Sequence, residues 1–260
     1  EFTLTSDQKK ALEEINKDLK STNKMFRLLQ GDVGSGKTIV ALLSALNTIN
    51  SGFQVAFMAP TEILAKQHYN LARKIFSKTK KIEIISGKST YKEKKQILKD
   101  LENNQVDIIF GTHAIFQKKV KFYKLGLIII DEQHKFGVNQ RKKLSDKGGV
   151  DCDVLLMTAT PIPRTLTMTI YGDMDISIIR EKPKNRKPIK TYSKLENKID
   201  DILKFINREI NQGNQIFWVC PLIEESKKLD HSSAINKYEF LKKNFPNQVA
   251  LLHGKIDIDK

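Results

Sequence analysis

The sequence predicts an α/β fold in which helices cover both faces of a parallel sheet, followed by a second, incomplete α/β unit. Short runs that are apolar throughout alternate with helical patterns, and such runs are typical of parallel strands buried on both faces. A glycine-rich loop lies between the first apolar run and the helix after it. A sharp change in composition near residue 181 separates the two units.

The first unit contains six predicted strands and five predicted helices. The strands are residues 26–30, 54–59, 82–86, 106–110, 125–130 and 154–158, and the helices are 6–19, 37–48, 62–76, 91–101 and a shorter one near 140–145. The first helix has a good start signal, because Thr5 or Ser6 can cap its amides and Asp7 favours the positive end of its dipole.

Residues 181–188 contain two prolines, five charged side chains and no apolar side chain that could pack, which is typical of a linker. We therefore predict a first domain over residues 1–181, a linker over 182–188 and a partial second domain over 189–260. The second domain has predicted strands at 189–192, 215–220 and 248–252 and helices at 197–211 and 233–245. Three strands make an incomplete sheet, so we expect this domain to be truncated.

Charge and composition favour some classes of protein and disfavour others. The 45 Lys and Arg against 30 Asp and Glu give a net charge of +15, which suits a polyanionic partner. Alternatively, the lysines are spread along the chain and only keep the protein surface hydrated. Apolar runs such as 127–130 are far shorter than the roughly 18 residues of a membrane span. Two distant cysteines fit neither a disulfide framework nor a zinc site. We expect a soluble cytoplasmic protein with no membrane contact.

The sequence begins with Glu1 and stops just after an apolar run. No signal peptide precedes the first predicted helix. We therefore expect a fragment of a longer protein.

A phosphate-binding pattern occupies the turn between the first predicted strand and the second predicted helix. The pattern G-x-x-x-x-G-K-[ST] is matched by Gly31, Asp32, Val33, Gly34, Ser35, Gly36, Lys37 and Thr38. Its glycines let backbone amides point into one cavity, and the helix dipole adds positive charge, so a triphosphate fits there. Lys37 would neutralise phosphate oxygens and the Thr38 hydroxyl would hold Mg²⁺. A simple glycine turn with a surface lysine is the alternative.

An acidic pair, Asp131 and Glu132, follows the apolar run 125–130 directly. The carboxyl ends of parallel strands form the edge where α/β folds bind ligands. Asp131 would share the Mg²⁺, and Glu132 would orient or deprotonate an attacking water. His134 could equally be a plain surface histidine.

The order of these motifs resembles that of superfamily 2 helicases over nearly the whole chain. The adenine-reading Q motif is resembled by Phe2, Leu4, Thr5 and Gln8. Motif I corresponds to residues 31–38, motif Ia to 59–68 and motif Ib to 111–113. Motif II corresponds to residues 131–134, which include Gln133 and His134, and motif III to 158–160. The longer strings DEQHKFGVNQR at 131–141 and MTATPIPRT at 157–165 resemble the RecG family of branch-migration helicases. Transcription-repair coupling factors share the second string but carry DEEH, so Gln133 favours RecG, and the primosomal helicase PriA shares less.

The resemblance implies an ATP-dependent DNA helicase with two RecA-like lobes, active on forks or Holliday junctions in recombination and repair. It implies ATP and Mg²⁺ as cofactors, Gln8 against the adenine, and a catalytic group of Lys37, Asp131, Glu132, Gln133 and His134. The matching DNA contacts are Thr61, Thr112, His113 and Arg141, and Thr158 and Thr160 would relay between the two sites. Duller roles also fit, because Thr61, Thr158 and Thr160 could cap secondary structure and Arg141 could be a solvated charge.

The family also has features that this sequence lacks. A wedge domain precedes the Q motif in RecG proteins, and motifs V and VI follow the stretch present here. We therefore expect the isolated fragment to bind ATP and hydrolyse it very slowly, and we expect a monomer. A nucleotide-dependent interaction module is the alternative function. Phe217 and Trp218 are predicted to be core side chains.

Overall fold

Seven strands pair in parallel to form one sheet in the computed structural model, which describes residues 3–76, 79–87, 89–117, 119–132, 152–160, 174–183, 189–220 and 234–253. They are β1 (Phe26–Gly31), β2 (Gln54–Met58), β3 (Ile82–Ile85), β4 (Ile108–Gly111), β5 (Leu125–Ile130), β6 (Asp153–Thr158) and β7 (Asp175–Ile179). Their order across the sheet is β3-β4-β2-β5-β6-β1-β7. The predicted α/β fold class is confirmed.

The first helix of this unit precedes β1, and the next three each connect successive strands. They are α1 (Ser6–Leu19), α2 (Lys37–Asn50), α3 (Glu62–Ile75) and α4 (Tyr91–Glu102), with a short 3-10 helix at His113–Phe116. Threonine hydroxyls accept hydrogen bonds from backbone amides at the starts of α1, α3 and α4, which fixes where each helix begins. The predicted helix near 140–145 lies outside the described residues.

Besides the short 3-10 helix, the sequence analysis missed strand β7 of the first unit. It pairs with β1 at the edge of the sheet, with Gly31 opposite Ile179. Its polar residues Asp175 and Ser177 interrupt the apolar pattern, because an edge strand is only partly covered. Arg27 on β1 explains the buried Ser177: its guanidinium donates to the Ser177 hydroxyl (3.0 Å) and to Asp18 (2.7 Å) on α1.

The sheet separates two apolar core layers. Alternate residues of one strand enter opposite layers, as Leu28 and Leu29 do on β1 and Ile128 and Ile129 on β5. Helices α1, α2 and α3 cover one face, and α4 and the 3-10 helix cover the other. Each fully buried Leu or Ile contributes roughly 1.5–3 kcal/mol, so the sheet is held rigidly beneath its loops.

The chain divides into two compact units, Glu1–Pro188 and Ile189–Lys260. In the second unit, α5 (Ile199–Asn211) and α6 (Ala234–Asn244) share a small core of Ile206, Leu241 and Phe245. The predictions of strands at 189–192, 215–220 and 248–252 are wrong: these residues are described and none is in a strand. A strand needs a neighbour to satisfy its amides and carbonyls, and none of these segments pairs with another.

The expectation that Phe217 is a core residue is also wrong, since 82% of it is exposed, whereas Trp218 packs against the small core.

Within the described residues, no helix has both the length and the apolar character needed to cross a bilayer.

Candidate functional site

The glycine-rich loop joins β1 to α2 at the carboxyl edge of the sheet. Gly34 and Gly36 have φ values of +78° and +92°, a backbone region that favours glycine. A Cβ at Gly36 would also meet the Gln8 amide. No side chain caps the start of α2 at Gly36. The loop therefore leaves helix amides and a positive dipole end facing the edge, which is what an anion needs.

Lys37 lies in the first turn of α2 and bends back over the loop. Its ammonium donates to the carbonyl oxygens of Gly31 (2.5 Å) and Asp32 (3.2 Å). Partial burial lowers the pKa of Lys37 below its ordinary value, while the charges of Asp131, Glu132 and Asp32 act in the opposite direction. A half-buried cation with mostly carbonyl partners is well suited to exchange them for phosphate oxygens.

Gln8 fastens the glycine-rich loop to α1. Its side-chain oxygen accepts from the Thr5 amide (3.0 Å) and its Nε2 donates to the Ser35 carbonyl oxygen (2.6 Å). The Thr5 hydroxyl in turn accepts from the Gln8 amide, which completes a capping box. Gln8 is thus buried beside the candidate phosphate site, and its contact with adenine stays a prediction. Phe2 lies outside the described residues.

The acidic pair follows β5 at the same edge. The Asp131 amide donates to the Met58 carbonyl oxygen (2.9 Å), which continues the pairing with β2. The Asp131 carboxylate is nearly buried and accepts from the Glu132 amide (3.0 Å) through Oδ1. Glu132 has a φ of +49°, unusual for a residue with a side chain. Gln133 and His134 lie outside the described residues.

These residues fit a nucleotide with a magnesium ion. Mg²⁺ is usually held by one or two carboxylates together with phosphate oxygens and water. The described residues contain no cluster of three or more acidic, histidine or cysteine side chains suited to a metal. Asp131, the Thr38 hydroxyl in the first turn of α2 and a phosphate supply the ligand types that Mg²⁺ prefers.

The predicted DNA contacts lie farther along the same edge. Thr61 follows β2 and Thr112 and His113 follow β4, and β2 and β4 are neighbours. Thr61 and His113 are exposed. The Thr61 hydroxyl accepts from the Leu64 amide (3.3 Å), so its capping role is present, and its role toward DNA stays a prediction. Arg141 lies outside the described residues.

The predicted relay residues follow β6, which lies between β5 and β1. Thr158 is fully buried, and its hydroxyl lies 2.9 Å from that of Thr160 and accepts from the Thr160 amide (3.2 Å). Thr158 thus stabilises the turn at the end of β6. Its position between the lysine strand and the acidic strand is compatible with a relay, which stays a prediction.

Sequence reasoning missed contacts that join distant segments. His68 Nε2 lies 2.7 Å from Asp131 Oδ2, and the only signal was a histidine on the buried face of α3. The Asp7 carboxylate accepts from the amides of Arg180 (2.8 Å) and Glu181 (3.0 Å), and these bonds lower the Asp7 pKa.

The glycine-rich loop has one further charged partner. Lys182 lies 2.6 Å from Asp32, and this contact is the main cause of a lowered Asp32 pKa. Spacing along the chain gave no signal for it. The residues just after β7 therefore lie against both α1 and the loop.

Residues 5–169, more than half of the chain, match the DEAD/DEAH box helicase family. The chain belongs to this family, and a helicase domain implies that it uses a nucleotide. The predicted resemblance to RecG is confirmed over the whole length. The chain is 48% identical to the ATP-dependent DNA helicase RecG of Bacillus subtilis (strain 168), covering 100% of the chain and 38% of that protein. It is 47% identical to RecG of Thermotoga maritima, covering 98% of the chain and 33% of that protein.

Solved structures give the same result. A structure of RecG bound to a three-way DNA junction matches with a TM-score of 0.77 and 42% identity, covering 94% of this chain and 32% of that one. The DEAD-box helicase Mss116 bound to ssRNA and UDP-BeF matches with a TM-score of 0.65 at 18% identity, covering 97% of this chain and 56% of that one, which shows the shared fold alone. The chain spans about a third to two fifths of the length of the curated relatives it matches.

Proposed function

We propose that this chain is the ATP-binding motor segment of a DNA helicase that acts on branched DNA such as forks and Holliday junctions. One observation carries the proposal: the loop with Lys37 follows β1 and the acidic pair follows β5, and these parallel strands end at the same edge of the sheet with only β6 between them. A phosphate-binding lysine and a pair of carboxylates at one edge are the parts that phosphoryl transfer needs. The 48% identity to RecG over the whole chain supports DNA as the nucleic acid on which the motor acts.

In this proposal the chain's own residues bind and orient the nucleotide. Lys37 would exchange the carbonyl oxygens of Gly31 and Asp32 for oxygens of the β- and γ-phosphates. The backbone amides of the loop and of the first turn of α2 would also donate to phosphate oxygens. Thr38 and Asp131 hold Mg²⁺, which when bound neutralises charge that develops on the phosphate oxygens. Gln8 holds the loop through the Ser35 carbonyl oxygen and would contact the adenine.

Glu132 is the proposed base. A carboxylate beside the γ-phosphate can accept a proton from water and align that water for attack. Its backbone, at a φ of +49°, is tied to Asp131 through the hydrogen bond from its own amide, so its position depends on that of Asp131. Gln133 and His134 complete the proposed catalytic group.

DNA is proposed to lie over the β2–β4 side of the edge, with Thr61, Thr112, His113 and Arg141 toward its backbone. The net charge of +15 favours a polyanion. Thr158 and Thr160 would relay between the nucleotide and the DNA. Residues 1–181 would form the first lobe, residues 182–188 the linker and residues 189–260 part of the second lobe. We propose a monomer that works in the cytoplasm.

Steady-state ATP turnover by the full-length gene product tests this function. It is measured with forked DNA, with single-stranded DNA and without DNA, and Glu132→Gln serves as the inactive control. We expect turnover to rise with DNA and most with the fork. Turnover that is indifferent to DNA, together with protein binding that depends on nucleotide, would instead support an interaction module.

A further inference from the structure

We infer that His68 is a positioning residue that holds the Asp131 carboxylate in place and links it to helix α3. The inference rests on the proposed function and adds a residue to it. The contact joins residues 63 positions apart in the chain, one on a helix and the other at the end of a strand.

The geometry of the contact is that of a strong hydrogen bond. His68 Nε2 lies 2.7 Å from Asp131 Oδ2, and both side chains are nearly buried, with relative exposures of 8% and 11%. A carboxylate only accepts, so Nε2 carries the proton and donates. The imidazole also packs on the Phe57 ring at a centroid distance of 4.8 Å, which fixes the plane of the ring.

The surroundings of His68 favour a role beyond packing. The other buried residues of α3 are Ala65 and Ala72, so this face of the helix is otherwise apolar. A phenylalanine or leucine would fill a similar volume there without the penalty of removing an imidazole from water. What the imidazole adds is one directed hydrogen bond, and that bond ends on the proposed magnesium ligand.

The bond restricts how the carboxylate can turn. Asp131 Oδ1 accepts from the Glu132 amide (3.0 Å) and Oδ2 accepts from His68, so both oxygens are held. Each oxygen keeps a further lone pair for a ligand. Partners of this kind orient metal-binding carboxylates, and their loss typically weakens metal affinity or activity by about 10- to 100-fold.

The same bond connects the proposed DNA-binding side of the sheet edge with the proposed nucleotide site. Thr61 caps α3 and is a proposed DNA contact, and His68 follows it by two helical turns, roughly 10 Å along the axis. A helix transmits a displacement of its first turn as a rigid body. Movement of α3 on binding DNA would therefore shift the imidazole and, through a single hydrogen bond, the orientation of Asp131.

The first experiment measures ATP affinity by calorimetry at a series of Mg²⁺ concentrations, using this chain. His68→Phe keeps a ring against Phe57 and removes the donor, whereas His68→Gln keeps a donor. Asn70→Ala, at an exposed position of α3, is the matched control. We expect His68→Phe to leave ATP affinity without metal unchanged and to raise the Mg²⁺ concentration needed for tight binding by about 10- to 100-fold. His68→Gln should recover at least part of this loss.

The opposite results would overturn the inference. One is a His68→Phe variant whose Mg²⁺ dependence equals that of the parent. The other is an equal loss of metal-free binding and of melting temperature in both His68 variants, which would make His68 a purely structural residue.

The second experiment measures the ratio of ATP turnover with and without forked DNA in the full-length gene product. We expect His68→Phe to reduce this ratio and Asn70→Ala to leave it unchanged; an undiminished ratio in His68→Phe would refute the link to DNA. A parent protein without DNA stimulation would contradict the proposed function, whereas the Mg²⁺ titration would still decide the role of His68 at the nucleotide site.

Discussion

The Nε2 of Gln8 donates a 2.6 Å hydrogen bond to the carbonyl oxygen of Ser35, which ties helix α1 to the glycine-rich loop. Because Gln8 also belongs to the capping box of α1, the start of this helix and the shape of the loop depend on each other. Gly36 lies directly against the same amide, so no side chain fits between them. These two contacts therefore hold the shape of the loop.

Replacing Gln8 tests this dependence. Gln8→Ala removes the bond to Ser35 and half of the capping box, and each hydrogen bond of this kind contributes about 0.5–1.5 kcal/mol. We expect ATP affinity, measured by calorimetry, to fall by about tenfold, because the loop would lose the bond that holds its shape. Lys9→Ala, on the exposed face of α1, should bind ATP like the parent. Equal affinities in all three proteins would show that the loop needs no such support.

Lys37 should reduce stability in the absence of ligand. Burial lowers its pKa in the folded chain, so the unfolded chain binds more protons and stability rises as pH increases from the folded pKa toward the unfolded value near 10.5. Lys37→Met removes this penalty. We expect its free energy of unfolding, measured with urea, to be at least equal to that of the parent at pH 7, with an advantage that shrinks by pH 10.

The control for this measurement is Lys66→Met, at an exposed position of α3, which should show no comparable pH dependence. A Lys37→Met variant that is clearly less stable than the parent at pH 7 would mean that the bonds to Gly31 and Asp32 outweigh the burial of the charge.

Glu132→Gln should separate binding from chemistry. The amide keeps the size of the side chain but cannot accept a proton, and a general base typically contributes about 10² to 10⁴ in rate. We expect ATP binding to persist and DNA-stimulated turnover of the full-length gene product to fall by that factor. Glu13→Gln, exposed on α1, is the control. Unchanged turnover in Glu132→Gln would show that another residue acts as the general base.

The two cysteines should differ in reactivity. Burial, and to a lesser extent the charge of Asp153, raises the pKa of the Cys152 thiol to about 12, whereas Cys220 is partly exposed. The thiolate is the reactive form. At pH 8 we expect iodoacetamide to modify Cys220 in the folded chain and Cys152 only in urea, as followed by mass spectrometry. Rapid modification of folded Cys152 would indicate that the end of the sheet near β6 opens readily.

The sequence predicted what local patterns encode. Strands that are apolar throughout, such as β5, and a loop of defined glycine spacing were recognisable. The six strands predicted in the first unit and six of the seven predicted helices agree with the structure to within about two residues. Strand β7 was missed because its polar residues serve an ion-pair network around Arg27. The strands of the second unit were wrong because apolar alternation shows a potential for pairing, and a partner must also be present.

In the candidate site, too, features within short motifs could be predicted and contacts between distant segments could not. Lys37, Asp131 and Glu132 lie within short motifs, so their chemistry could be read from neighbours in the chain. His68 and the contacts of Asp7 with residues 180–181 join segments that only the folded sheet brings together. No spacing rule predicts such a contact.

Calorimetric titration of this chain with ATP, with and without Mg²⁺, tests the central claim most directly. We expect one site, tighter binding with Mg²⁺, and loss of binding in Lys37→Ala, because the ammonium is the principal cation at the phosphates. Absence of heat in the parent, or a Lys37→Ala variant that binds ATP as the parent does, would contradict the claim that residues 31–38 hold a nucleoside triphosphate.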